Sequence, residues 1–314
     1  MTLFLTTLNQ MAYLFAFIAI GFILGKAKIL PDNSARILSK LENTVFIPAL
    51  VMGTFMKNFT VDRLSTTWKL LLFALIVQAV VIPLSILSAR FCTKSPYLRK
   101  IYTYGLSFSN FAFMGNAVVS ALFPDIFLEY LIFTLVLWTL IYLWGVPALL
   151  ICDDEKKVSL KESLKSFVNP MFIGMLIGMV IGLTSLPVPG WLDSVITTSG
   201  NCMSPIAMLL TGITVAAIDL KATLKTKSIY TVSALRLIVF PLIGIGVFAL
   251  IPQVPQSFVI CAVCSLAMPL GLNTIVIPSA YGKDTSAAAG MALISHVLAC
   301  LTIPFIFLLL MKIL

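Results

Sequence analysis

The sequence predicts an all-α polytopic membrane protein: ten transmembrane helices forming two inverted five-helix repeats, with helices 4 and 9 broken and crossing near the middle of the bilayer. Three observations predict it. The chain is 60% hydrophobic and 11% charged with a mean hydropathy of +1.07, and its apolar runs recur at about 20 residues, the length that crosses roughly 30 Å of hydrocarbon. Shifted by 157 residues, it falls on its own punctuation: Gly21 and Gly25 meet Gly178 and Gly182, Pro48 meets Pro205, Asn116 meets Asn273, Pro147 meets Pro304, and Pro83 comes within one residue of Pro241. That coincidence marks an internal duplication. Third, the basic residues segregate to one side of the predicted spans.

The spans fall at 5–25, 41–57, 68–88, 101–123 and 127–151 in the first repeat, and at 170–188, 194–217, 228–251, 257–280 and 286–311 in the second. Residues Met1 to Gln10 carry no positive segment before the apolar stretch and no small-residue cleavage pattern after it, so the first span is expected to be retained and not removed as a signal peptide. Glu42 and Asn43 open the second span and Asn201 interrupts the seventh, which makes these the least apolar of the ten. With the N-terminus outside, loops on the inner face hold 16 of the 21 basic residues and the outer face holds 4, namely Lys57, Arg63, Lys69 and Lys312, while Arg236 lies inside a span. Lys and Arg in short loops stay on the cytoplasmic side, so both termini are expected outside a cell membrane. The formal charge of +9 then serves topology and anionic lipid headgroups, and implies no nucleic acid partner.

Five spans per repeat is an odd number, so the second copy enters the membrane from the opposite side. The expected organisation is a first repeat over 1–151, a cytoplasmic connector over 152–169 carrying the acidic and Lys-rich stretch, and a second, inverted repeat over 170–314. Two units packed in opposite orientation can adopt inward-open and outward-open arrangements of similar energy, which is a transporter architecture.

The fourth and ninth spans are the unusual ones. Span four places Ser107, Ser109, Asn110, Gly115 and Asn116 at mid-membrane depth, and span nine places Pro269, Gly271, Asn273 and Thr274 there, with Pro278 close behind. Proline removes a backbone donor, and glycine and asparagine accept non-helical dihedrals, so both helices are expected to unwind. Unwound backbone is tolerated at that depth only where it is buried in protein or lines a wet cavity. The restarting half-helices would bring to one spot several unpaired N–H groups and about half a positive charge each. The expected ligand is a small organic anion, most simply a carboxylate, with Asn116 and Asn273 as side-chain donors beside it. The alternative is that these asparagines only cap helix ends and the prolines are ordinary kinks.

These residues resemble a known family. Pro269-Leu-Gly-Leu-Asn273, then Tyr281-Gly-Lys-Asp284, then the last span closing on Pro304 are similar to the C-terminal signature of the auxin efflux carrier family. Asn169-Pro170, Arg236-Leu-Ile-Val-Phe-Pro241 and Ile47-Pro-Ala-Leu50 also follow its pattern, and the resemblance covers the whole chain, most closely in the compact bacterial form annotated for malonate and other organic acids. It implies a ten-helix carrier of the bile-acid and sodium/proton transporter type. Spans 1, 2, 6 and 7 would form a scaffold, a surface also suited to a homodimer, and spans 3–5 and 8–10 a mobile core. The chain departs from the pattern in span four, where Gly115-Asn116-Ala117 stands in place of the usual proline.

Other residues were weighed for coupling to a co-transported proton or sodium ion. Glu42 and Glu129 are the acids nearest to span interiors and both sit near predicted ends. His296, the single histidine, is either a proton relay or a hydrogen-bonded packing residue. Arg236 either attracts anions or pairs with core carbonyls or the cytoplasmic face. Cys261-x-x-Cys264 lacks a second pair or a nearby histidine, so no metal or cofactor is implied. Gly174, Gly178 and Gly182, like Gly21 and Gly25, make flat faces for close helix packing. No phosphate loop, nucleophile elbow or zinc-protease signature occurs, so an enzyme is not expected. The expectation is a secondary transporter of organic anions, with a cation-coupled importer and a non-transporting ligand sensor as alternatives.

Overall fold

The computed structural model describes residues 2–151, 170–217, 219 and 224–314; the expected connector, 152–169, lies outside them. Every regular element among them is helical. In chain order these are α1 (Thr2–Lys26), α2 (Ser34–Leu41), α3 (Ile47–Asn58), α4 (Val61–Cys92), α5 (Pro96–Ser107), α6 (Asn116–Leu122), α7 (Phe127–Leu140), α8 (Pro170–Thr184), α9 (Gly190–Ala217), α10 (Lys227–Ala234), α11 (Phe240–Ala249), α12 (Gln256–Ala267), α13 (Asn273–Ala280) and α14 (Ser286–Ile313). Wider π-helical turns join α2 to α3 (Glu42–Phe46) and α10 to α11 (Leu235–Val239), lead into α6 (Phe111–Gly115) and prolong α7 (Ile141–Ile151). Such turns insert a residue into the helical ladder and re-aim the side chains around it.

Among the described residues, five segments are long and apolar enough to cross a membrane: Trp68–Cys92, Pro124–Ile151, Gly190–Ala217, Lys227–Ala249 and Ser286–Ile313. Shorter apolar helices run over Ala12–Lys26, Phe111–Leu122, Pro170–Thr184 and Gln256–Ala267. The protein is therefore a multi-pass membrane protein.

The second span departs from its sequence-based boundary. It begins at Ser34, not at 41, and Glu42 lies inside a helical path running to Asn58 instead of at its end. Average hydropathy misses this because it ignores direction. Arg36 and Lys40 point outward, while Ser39 and Glu42 are fully buried. Ser39 donates its hydroxyl to the Val276 carbonyl, and Asn43 Nδ2 reaches the same oxygen at 3.1 Å, so polar residues bind this span to α13. Likewise α9 starts at Gly190 and passes Asn201 without interruption, because that side chain faces outward.

Glycines set the closest helix contacts. α1 packs on α9, where Gly21 lies against the Leu209 carbonyl and Gly212 against that of Ile18. α3 packs on α8 in the same way: a Cβ at Gly174 would stand 2.9 Å from the Pro48 oxygen and one at Gly182 2.7 Å from the Phe59 oxygen, with Gly178 tight against Met52. Small residues at such crossings let backbones approach and gain dispersion contact where lipid supplies no hydrophobic drive. α3 also packs on α9, so α1, α3, α8 and α9 form one contiguous group. α4, α7 and α14 pack against this group, and α5, α10, α11 and α12 pack on those helices in turn.

Because carbonyl oxygens cannot yield as a flexible side chain does, Gly178→Leu is expected to destabilise the fold by about 3 kcal/mol, whereas Gly246→Leu, which enters open space, should be near neutral. Thermal unfolding of both variants in detergent checks the contrast.

Candidate functional site

α5 stops at Ser107 and Phe108 turns extended, with φ −122° and ψ 105°. α12 stops at Ala267 and Met268 is extended at φ −68° and ψ 149°, the conformation that a following proline, here Pro269, imposes. The two extended stretches meet as an antiparallel bridge between Ser109 and Leu270, and the Asn110 N–H donates to the Pro269 carbonyl at 2.8 Å. Gly271 permits the approach, since a Cβ there would lie 2.6 Å from the Phe108 oxygen. Each chain break thus satisfies part of the other.

The carbonyl ends of the two first half-helices need further partners, and Arg236 supplies them. Its guanidinium donates from Nη1 to Leu106 O at 2.7 Å, from Nη2 to Ser265 O at 2.7 Å and from Nε to Met268 O at 3.2 Å. The side chain is 1% exposed, and no carboxylate among the described residues pairs with it. Its compensation comes instead from the negative ends of α5 and α12. The Ser109 hydroxyl adds a bond to Ser265 O at 2.7 Å.

At the restarting ends, the carbonyls are closed but the amides are open. Tyr130 donates to Phe111 O at 2.9 Å, Ser204 of α9 to Phe113 O at 2.6 Å and Thr274 to Gly271 O at 2.8 Å. The N–H groups of Phe111, Ala112, Phe113, Leu272 and Asn273 find no backbone acceptor among the described residues. These five residues line one small cavity together with Tyr104, Ser109, Trp138 and Gly271. Its volume of about 10 Å³ admits one water molecule. Residues from both helix starts therefore share one small cavity with aromatic walls.

Of the residues proposed from sequence, the crossing gathers Asn110, Pro269, Gly271, Asn273 and Thr274. Gly115 and Asn116 lie further along, because span four breaks at Phe108–Asn110 and has already re-formed a helical turn at Phe111. The expected pairing of Asn116 with Asn273 is corrected accordingly. α5 and α12 are both 12 residues long and start 160 residues apart, at Pro96 and Gln256, so register at the crossing differs from the offset of 157 carried by the other landmarks.

The expected donor role is corrected as well. Asn273 Nδ2 is committed to the Tyr104 hydroxyl at 2.9 Å and Asn110 Nδ2 to His296 Nε2 at 2.8 Å. What remains buried and unpartnered is the amide oxygen of Asn110, Asn116 and Asn273. His296 is 1% exposed and its Nδ1 lies 2.7 Å from Ala292 O. That carbonyl needs a donor, so the proton sits on Nδ1, Nε2 accepts from Asn110, and the ring positions the asparagine. Glu42 does not reach the crossing. It is wholly buried in the π-helical turn of the second span, both carboxyl oxygens without a partner.

Sequence reasoning missed Tyr104, Phe111, Ala112, Phe113, Trp138 and Leu272. The usable signal was Asn110, whose taste for non-helical dihedrals marks the restart just after it; nothing in the sequence marks Trp138. Among the described residues His, Cys, Asp and Glu form no group of three or more, and Cys261 and Cys264 are buried free thiols within α12.

A family described as membrane transport protein matches residues 6–307 of the chain. No curated protein matches it. Tyr104→Phe removes the acceptor of a buried Asn273 N–H, a loss expected to cost about 1–3 kcal/mol, read as a lowered unfolding temperature in detergent.

Proposed function

The chain belongs to the membrane transport protein family, the auxin efflux carrier-like family, and from that premise we propose that it is a secondary transporter of small organic anions, bound at the crossing of the two broken helices. The observation that carries this reading is the set of open amides, from Phe111 to Phe113 and at Leu272 and Asn273, all on residues that line one cavity. Paired helix starts favour negative charge. A carboxylate accepts from several N–H groups at once, while Tyr104, Phe111, Phe113 and Trp138 suit the apolar remainder of such an acid. The unpartnered oxygen of Asn273, a residue that lines the cavity, accepts from any hydroxyl or N–H that the acid carries.

In this reading the halves 1–151 and 170–314 are inverted five-span repeats. The equal lengths of α5 and α12, each followed by an extended break, support it. The glycine-packed group α1, α2–α3, α8 and α9 serves as scaffold, and the remaining helices carry the crossing as a mobile core. Alternating access opens the cavity to one side at a time. Moving one negative charge outward gains about 2.3 kcal/mol per 100 mV of inside-negative potential, so export needs no bound cation to be favourable.

Reconstitution in liposomes with labelled pyruvate, malonate and indole-3-acetate tests the proposal. Flux of at least one is expected, reduced at least tenfold in Asn273→Ala, the effect of losing about 1.4 kcal/mol of binding or transition-state stabilisation. Wild-type flux in that variant would remove Asn273 from the site. Binding without flux would identify a sensor, and flux that follows an imposed proton or sodium gradient would identify a cation-coupled importer.

A further inference from the structure

Resting on the carrier reading above, we infer that Arg236 is the resident counter-charge of the transport cycle: it travels with the crossing, neutralises a bound monoanion, and makes the empty carrier, not the loaded one, the species on which membrane potential acts. Arginine stays protonated in proteins. Arg236 lies about nine residues beyond Lys227, roughly 13 Å along the helix axis, which is close to the middle of a ~30 Å hydrocarbon core.

Its three acceptors are Leu106 at the end of α5 and Ser265 and Met268 at the end of α12. The guanidinium is thus fastened to both broken helices and must move with them. The elements packed against its turn are α10, α11, α12 and α14. Their titratable groups are Lys227 and Tyr230 on α10, the thiols Cys261 and Cys264 on α12, and His296, Cys300 and Lys312 on α14; α5, which supplies Leu106, carries Arg99 and Lys100 near its start and Tyr97, Tyr102 and Tyr104, and Tyr130 of α7 also stands near the guanidinium. None is an acid. His296 is committed to Ala292 and Asn110, and Lys227 and Lys312 stand at helix ends, where water and headgroups screen them. Arg236 is the one formal charge at the depth of the crossing among the described residues of this group.

The consequence concerns which step senses voltage. An empty core carries one positive charge through the field, whereas a core holding a monoanion carries none. Export of the anion followed by return of the empty core then moves one net negative charge outward per cycle, with the electrical work on the return step. A core whose charge is balanced elsewhere, for instance by a bound proton or sodium ion, would distribute the work differently.

The test compares two modes of flux in liposomes whose potential is clamped with potassium and valinomycin, using labelled pyruvate and indole-3-acetate as monoanionic probes. Net efflux is expected to change about threefold or more between 0 and −100 mV, within the roughly fifty-fold limit for one full charge. One-for-one exchange, which never requires the empty core to move, is expected to stay constant. Exchange as voltage-sensitive as net efflux would overturn the inference while leaving the carrier reading intact; flux of neither probe would overturn both for monoanions. In Arg236→Gln, which keeps donors for the carbonyls, any residual exchange is expected to become voltage-sensitive. A merely structural arginine would lower both fluxes without shifting that dependence, and the wild-type comparison decides the matter if the variant does not fold.

Discussion

A bilayer interior offers no hydrogen bonds, so a helix broken at its centre must have its loose backbone groups met by protein or by a ligand. Two helices are broken here, α5–α6 and α12–α13, and the rest of the structure answers the demand they create. They pair with each other through Asn110 and Pro269. Arg236 closes the carbonyl ends that point one way, and Tyr130, Ser204 and Thr274 cap carbonyls on the restarting turns. Carbonyls are provided for and amides are left open, and the proposed affinity for negative charge rests on that imbalance.

The same constraint explains why a full buried cation is tolerated without an acid. The cost of desolvating a charge is offset only when its donors are matched with good geometry, and the planar fork of arginine suits carbonyls arriving from two helix ends. A carboxylate partner would cancel the positive field on which the proposed anion site depends. Dipole ends and carbonyls instead hold the guanidinium in place and leave its charge available.

The helix groups are joined by two kinds of contact with different mechanical consequences. Within the group of α1, α3, α8 and α9, glycines press backbone against backbone, and such surfaces have few alternative packings. Between that group and the crossing run isolated polar contacts, Ser39 and Asn43 to Val276 and Ser204 to Phe113. Bonds of this kind can be exchanged for others at small net cost. A rigid frame beside an exchangeable seam is the mechanical arrangement that the proposed alternating access requires, and the buried Glu42 lies on the seam, away from the crossing.

What the sequence determined by itself was whatever depends on composition and backbone chemistry. Hydropathy settled that the chain is helical and crosses a membrane, and Pro269, Gly271, Asn273 and Asn110 marked where two helices could not continue, because proline, glycine and asparagine change the local energy of the backbone wherever they stand. Direction and register were decided only in three dimensions. Nothing along the chain told that Glu42 and Ser39 face inward while Lys40 faces out, that the crossing pairs residues at a different offset from the rest of the duplication, that the Asn273 amide nitrogen would be spent on Tyr104, or that Arg236 would reach Leu106 across 130 residues. Each of those facts concerns which partner a polar group meets, and in a low-dielectric core the partner is chosen by tertiary packing, which brings together atoms whose sequence separation carries no information about their distance.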